Sequence, residues 1–100
     1  MNIIKKKILG LICSQDRGVR IKDMMNKIPE LKKIDVNLKV NSLGYKRLVR
    51  ALKTLRDYGY VKKIRYDGKK MNDGNGEVYW ILTDGSKKHH LKWFKEQGII

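Results

Sequence analysis

The chain has 100 residues, 41% of them hydrophobic, with 24 lysines and arginines against 10 acids, giving a formal charge of +14 and a pI near 10.0. That length holds one domain with one modest core, and the charge is too one-sided for an ordinary enzyme. It attracts polyanions, meaning DNA, RNA or an anionic membrane surface.

The opening MNIIKKKILGLIC sets three lysines before an apolar run that is short, contains Gly10 and ends in Ser-Gln-Asp-Arg, unlike an export signal. Residues 2–14 read instead as an amphipathic helix: Ile4, Ile8, Leu11 and Ile12 share one stripe, and Lys5, Lys6 and Lys7 spread around the other side. Asp16-Arg17-Gly18 is a turn, and Val19-Arg20-Ile21 suits a very short strand. Ile21, Met24, Met25 and Ile28 repeat at helical spacing, which predicts a second helix over 21–28. Pro29 either ends that helix or starts another as its first residue. Residues 30–41, ELKKIDVNLKVN, stay open: Ile34, Val36, Leu38 and Val40 alternate as a strand or extended arm would, while Leu31 and Ile34 would finish a short helix.

A third helix is predicted over 42–58, with Leu48, Leu52 and Leu55 on the core stripe and Tyr45, Ala51 and Tyr58 at its borders. Asn41 or Ser42 suits the N-cap, and Gly59 suits the left-handed position that ends the helix. A strand then runs from Tyr60 to Tyr66. DGKKMNDGNGE, residues 67–77, reads as a long hairpin loop, and Val78 to Leu82 as the returning strand, rich in β-branched and aromatic residues. Thr83-Asp84-Gly85-Ser86 turns into a last helix over 86–97. Its apolar face holds His90, Leu91 and Phe94 with Trp93 alongside, and Gly98 ends it. Trp80 is the expected core anchor beneath the hairpin. No stretch reaches the roughly 18 apolar residues of a membrane span.

The charge is unevenly placed. Residues 42–70 hold ten bases against two acids, a net of +8, whereas residues 71–100 hold four of each. Local function, not overall basicity, explains such a gradient.

The order of elements resembles the winged helix-turn-helix superfamily over nearly the whole chain. Two stretches carry the likeness: ALKTLRDYGYV, a leucine-spaced helix leaving through Gly-aromatic-Val, and YWILTDG, a strand ending in Leu-Thr and glycine. Both patterns recur in archaeal, bacterial and phage-type regulators. The likeness implies an α+β winged helix: a three-helix helix-turn-helix core, a two- or three-stranded antiparallel wing and an extra C-terminal helix. It also implies that the third helix enters the major groove of duplex DNA while loop 67–77, the wing, touches the adjacent backbone or minor groove, as in a transcriptional regulator. The link between helices two and three, about a dozen residues, is longer than the short turn of that motif. Basic winged-helix proteins of the small ribosomal subunit show similar stretches, which makes ribosomal RNA the alternative partner.

The chemistry follows residue by residue. On the third helix Lys46, Arg47, Arg50, Lys53 and Thr54 lie away from the leucine stripe. Arginine can read guanine through O6 and N7, and lysine mainly neutralises phosphate. Arg50 is therefore expected to carry sequence preference. Ser42 and the first-turn amides could hold a phosphate. Lys62, Lys63 and Arg65 on the strand, with Lys69 and Lys70 beside Gly68, suit backbone contacts.

Cys13, the one cysteine, allows no internal disulfide and reads as a small core residue of a cytoplasmic protein. No zinc-ligand set, calcium-loop spacing or nucleophile–base–orienter constellation is present, so neither metal, cofactor nor catalysis is expected. Trp93, Phe94 and Leu91 either pack on the first helix or form a homodimer seam.

Overall fold

The N-terminal stripe winds into α1 (Ile3–Cys13) in the computed structural model, which describes residues 1–15, 17–34, 43–66 and 77–100. Asn2 caps α1: its side-chain oxygen accepts from the Lys5 amide at 2.9 Å. Ile4, Ile8, Leu9 and Ile12 are buried. Leu9 thus takes a core place beside the expected stripe, while Leu11 is only half-buried, because α1 is covered from more than one side. Gly10 marks the second contact. A Cβ there would meet the Ile99 carbonyl oxygen at 2.7 Å, so only glycine lets the C-terminal tail lie this close to α1.

Gly18, at φ +96, turns the chain out of α1 and into a single β-bridge. Val19 and Trp80 exchange two backbone hydrogen bonds of 2.9 Å, so the expected short strand is one residue long. The second helix is split. α2 (Ile21–Lys27) ends at an extended Ile28, and α3 (Pro29–Ile34) restarts with proline at its first position, where the missing N–H has no intrahelical partner to lose. Of the two readings for residues 30–41, the short helix holds as far as Ile34; the alternation beyond it lies outside the described residues.

α4 (Leu43–Asp57) buries Leu48, Ala51, Leu52 and Leu55 as its period demands. Its exit is a Schellman turn. The Gly59 amide donates to Arg56 O at 2.9 Å and the Tyr60 amide to Leu55 O at 3.1 Å, with Gly59 at φ +81. The candidate caps Asn41 and Ser42 lie outside the described residues. β1 (Val61–Tyr66) and β2 (Glu77–Leu82) pair antiparallel, in register from Val61 opposite Leu82 to Tyr66 opposite Glu77. Trp80 is buried at 5% exposure, as an anchor should be.

The last helix begins earlier than its apolar pattern implies and is broken. Thr83 caps α5 (Asp84–His89), and α6 (Leu91–Glu96) follows after His90. The Thr83 hydroxyl oxygen accepts from the Ser86 amide at 3.0 Å and lies 2.6 Å from Gly59 O, to which it donates. Ser86 is fully buried, and its hydroxyl donates to Tyr60 O at 2.8 Å. These two side chains therefore fasten α5 to the exit of α4. α6 ends in a second Schellman turn, with the Gly98 amide donating to Lys95 O and the Ile99 amide to Phe94 O. Ile99 is thereby folded back onto α1.

Phe94 sits in the core at 0% exposure. Tyr60 stacks on Trp93 at 5.8 Å between centroids and meets His90 edge-on at 5.2 Å. The expected seam of the C-terminal helix is thus largely consumed within the chain, leaving Leu91 exposed. The architecture is α+β, six helices on a two-stranded antiparallel sheet among the described residues.

Candidate nucleic-acid interface

α4 positions most of the site. Its core side is committed to the leucines, so position along the helix decides where each cation goes. Lys46, Arg47, Arg50 and Lys53 are all exposed. Residues 46, 50 and 57 form the outermost ridge. Lys53 shares one flank with Val49 and Arg56, and Arg47 shares the other with Ala51 and Thr54. Thr54 is half-buried, and its hydroxyl donates to Arg50 O at 3.1 Å, which leaves an oxygen lone pair free to accept.

The Arg47 flank faces α1. Asn2, Ile4 and Lys5 of the N-terminal segment and Arg47, Arg50, Ala51 and Thr54 of α4 line an open cleft of about 270 Å³. Ile4 and Ala51 are buried and form an apolar floor; the rim is polar and positive. Among the described residues the ion pairs are Lys7 with Glu30 at 2.9 Å and Arg20 with Asp23 at 3.4 Å. Neither touches the cleft, so the three cations of its rim carry no neutralising carboxylate among those residues.

The sheet divides its cations. Lys62, Lys63 and Arg65 are all exposed, but strand alternation puts Lys62 on the face opposite Lys63 and Arg65. Lys63 pairs across the hairpin with Trp80 and holds its ammonium 5.9 Å from the centre of that ring, a cation–π distance. Its aliphatic stem thereby shields the core anchor while the charge stays in solvent. Ser42, Lys69 and Lys70 lie outside the described residues.

Sequence patterning missed three participants. Lys5 and Asn2 belong to a helix read only as scaffold, and nothing local to α1 signals that its first turn borders α4. Val49 is 39% exposed beside Lys53 and Arg56, an apolar side chain on an otherwise charged surface. Its position off the leucine stripe was legible and is the one available signal.

Cys13 is half-buried, and desolvation pushes its thiol above the ordinary value. No group of three or more histidine, cysteine or acidic side chains gathers among the described residues, and no helix there is long and apolar enough to cross a membrane. Comparison with protein-family models, with curated proteins and with solved structures finds no match for this chain.

Proposed function

We propose that this chain is a winged-helix protein that binds double-stranded DNA, with α4 in the major groove and the β1–β2 hairpin against the neighbouring backbone. The observation that carries the reading is the surface of α4: a 15-residue helix whose exposed ridge and flanks bear Lys46, Arg47, Arg50, Lys53 and Arg56, none in an ion pair among the described residues. A free-standing solvated helix gains little from unpaired like charges. A groove lined with phosphates compensates all of them.

The element order supports the same reading. α1, the Val19 bridge to β2, α2, α4 and the hairpin follow one another as a winged helix requires, with α3 inserted in the long connection. Binding is by occupancy. Phosphate neutralisation supplies affinity, and outward groups such as Lys46 and Val49 supply discrimination; valine suits a thymine methyl. Such a protein would act as a transcriptional regulator.

Direct competition tests the reading. A fluorescent 20-base-pair duplex is displaced from the protein by unlabelled duplex or by a structured RNA of equal phosphate count. Stronger competition by duplex is expected; stronger competition by the RNA would replace DNA with a ribosomal-type RNA partner.

A further inference from the structure

We infer that the cleft between α1 and α4 is a phosphodiester clamp, in which Lys5 of α1 and Arg47 and Arg50 of α4 hold one backbone phosphate of the bound duplex. The inference rests on the DNA-binding reading and deepens it, because it assigns α1 a direct contact and gives Arg47 and Arg50 a positioning role in place of base reading.

Three features carry it. First, the cleft joins cations from two separate helices around a common space of about 270 Å³. Three cationic side chains lining one space repel each other, and an anion bound there relieves that repulsion. Second, no carboxylate among the described residues supplies that anion, although the same helix shows how one would: Lys7, two residues beyond Lys5, is paired with Glu30 at 2.9 Å. Third, the chemistry of the rim fits a tetrahedral oxyanion. Arg47 and Arg50 offer forked N–H donors, Lys5 a point charge, and the Asn2 amide nitrogen a neutral donor, since the Asn2 oxygen is already occupied by the Lys5 amide. The buried floor of Ile4 and Ala51 keeps the site dry on one side, which strengthens each contact. Ala51 matters by its size, because a larger side chain would fill the space the phosphate needs.

A backbone phosphate fixes register and orientation but carries no base identity. Arg50, placed by this clamp, sets where α4 lies in the groove and leaves reading to Lys46 and the Val49 flank.

Lys6 provides a built-in control. It is half-exposed like Lys5 and adjacent in sequence, but it borders a different cleft, with Gly10, Lys27 and Ile99. Lys5→Ala and Lys6→Ala remove the same charge from the same helix and differ only in which cleft they empty. Alanine favours helix, so neither should unfold α1; circular dichroism melts verify this, and Lys5→Arg keeps the charge.

Affinity for a 20-base-pair duplex is measured by fluorescence anisotropy across potassium chloride concentrations for wild type, K5A, K6A, R50A, K5A/R50A and K6A/R50A. K5A is expected to weaken binding roughly tenfold and to flatten the salt slope by about 1, equally on unrelated sequences, with K5R near wild type. K6A should lose only a few-fold, with the slope kept. The K5A/R50A loss should fall below the product of its singles because both contact one phosphate, while K6A/R50A should equal the product. Wild-type binding with K5A and K6A alike, or with K5A/R50A multiplicative, overturns the clamp and leaves the function standing. A wild-type protein without salt-dependent duplex binding overturns both.

Discussion

Thr83 joins three elements through one oxygen, so replacing it should test how α4 is held. In Thr83→Ala the Ser86 amide loses its cap and Gly59 O loses its donor at 2.6 Å. An N-cap is worth about 1 kcal/mol, and a net hydroxyl–carbonyl bond about another 1 kcal/mol. The neighbouring Ser86 hydroxyl, 3.1 Å from that of Thr83, keeps its own bond to Tyr60 O, so the loss should stop there. The expected total is about 2 kcal/mol, or a fall in Tm of roughly 8–16 °C for a domain of this size. Thr83→Ser retains the oxygen and should recover most of it. Urea unfolding followed by far-ultraviolet circular dichroism gives both values. An alanine variant within about 0.5 kcal/mol of wild type, or a serine variant no better than alanine, would refute the idea that this oxygen ties α5 to the exit of α4. The salt slope of duplex binding, measured on the folded variant, should not change, because Thr83 touches no part of the charged surface.

Further outcomes follow from the packing of α1. Gly10→Ala brings a Cβ to within 2.7 Å of the Ile99 carbonyl; overpacking against backbone should cost about 1–3 kcal/mol, less about 1 kcal/mol of helix propensity regained. Removing the tail by truncation after Gln97 should abolish that penalty, so a G10A variant equally destabilised in the shortened chain would place the strain elsewhere. Cys13 should react with iodoacetamide more slowly than a free thiol at pH 8, because burial raises its pKa. Since the folded pKa exceeds the unfolded one, the thiol contributes stability below roughly pH 8.5, and that contribution is lost as pH rises above it. A Cys13→Ala variant should therefore lack that part of the alkaline loss; identical pH profiles would show that Cys13 does not contribute to it.

Much of α4 was legible because its determinants are local. The Leu48, Leu52 and Leu55 spacing fixes its buried side, and Gly59 ends it through a backbone conformation that glycine adopts freely. Pro29 was legible as a punctuation mark but not in its outcome, since a stop and a restart satisfy the missing N–H equally well. The start of the last helix is hidden because Thr83-Asp84-Gly85-Ser86 carries turn composition, whereas Thr83 serves as a cap and the other three form the first turn. Its break at His90 is tertiary: that ring packs on Tyr60, thirty residues earlier in the chain. The cleft shared by Lys5 and Arg50 is likewise invisible to any window of sequence, because its two walls are more than forty residues apart and meet only when α1 and α4 pack.

The salt dependence of duplex binding tests the central claim most directly. If about six phosphates are neutralised, a plot of log K against log salt should fall with a slope near −5. A flat plot, with affinity unchanged as salt rises, would contradict the assignment of α4 and the hairpin to nucleic acid.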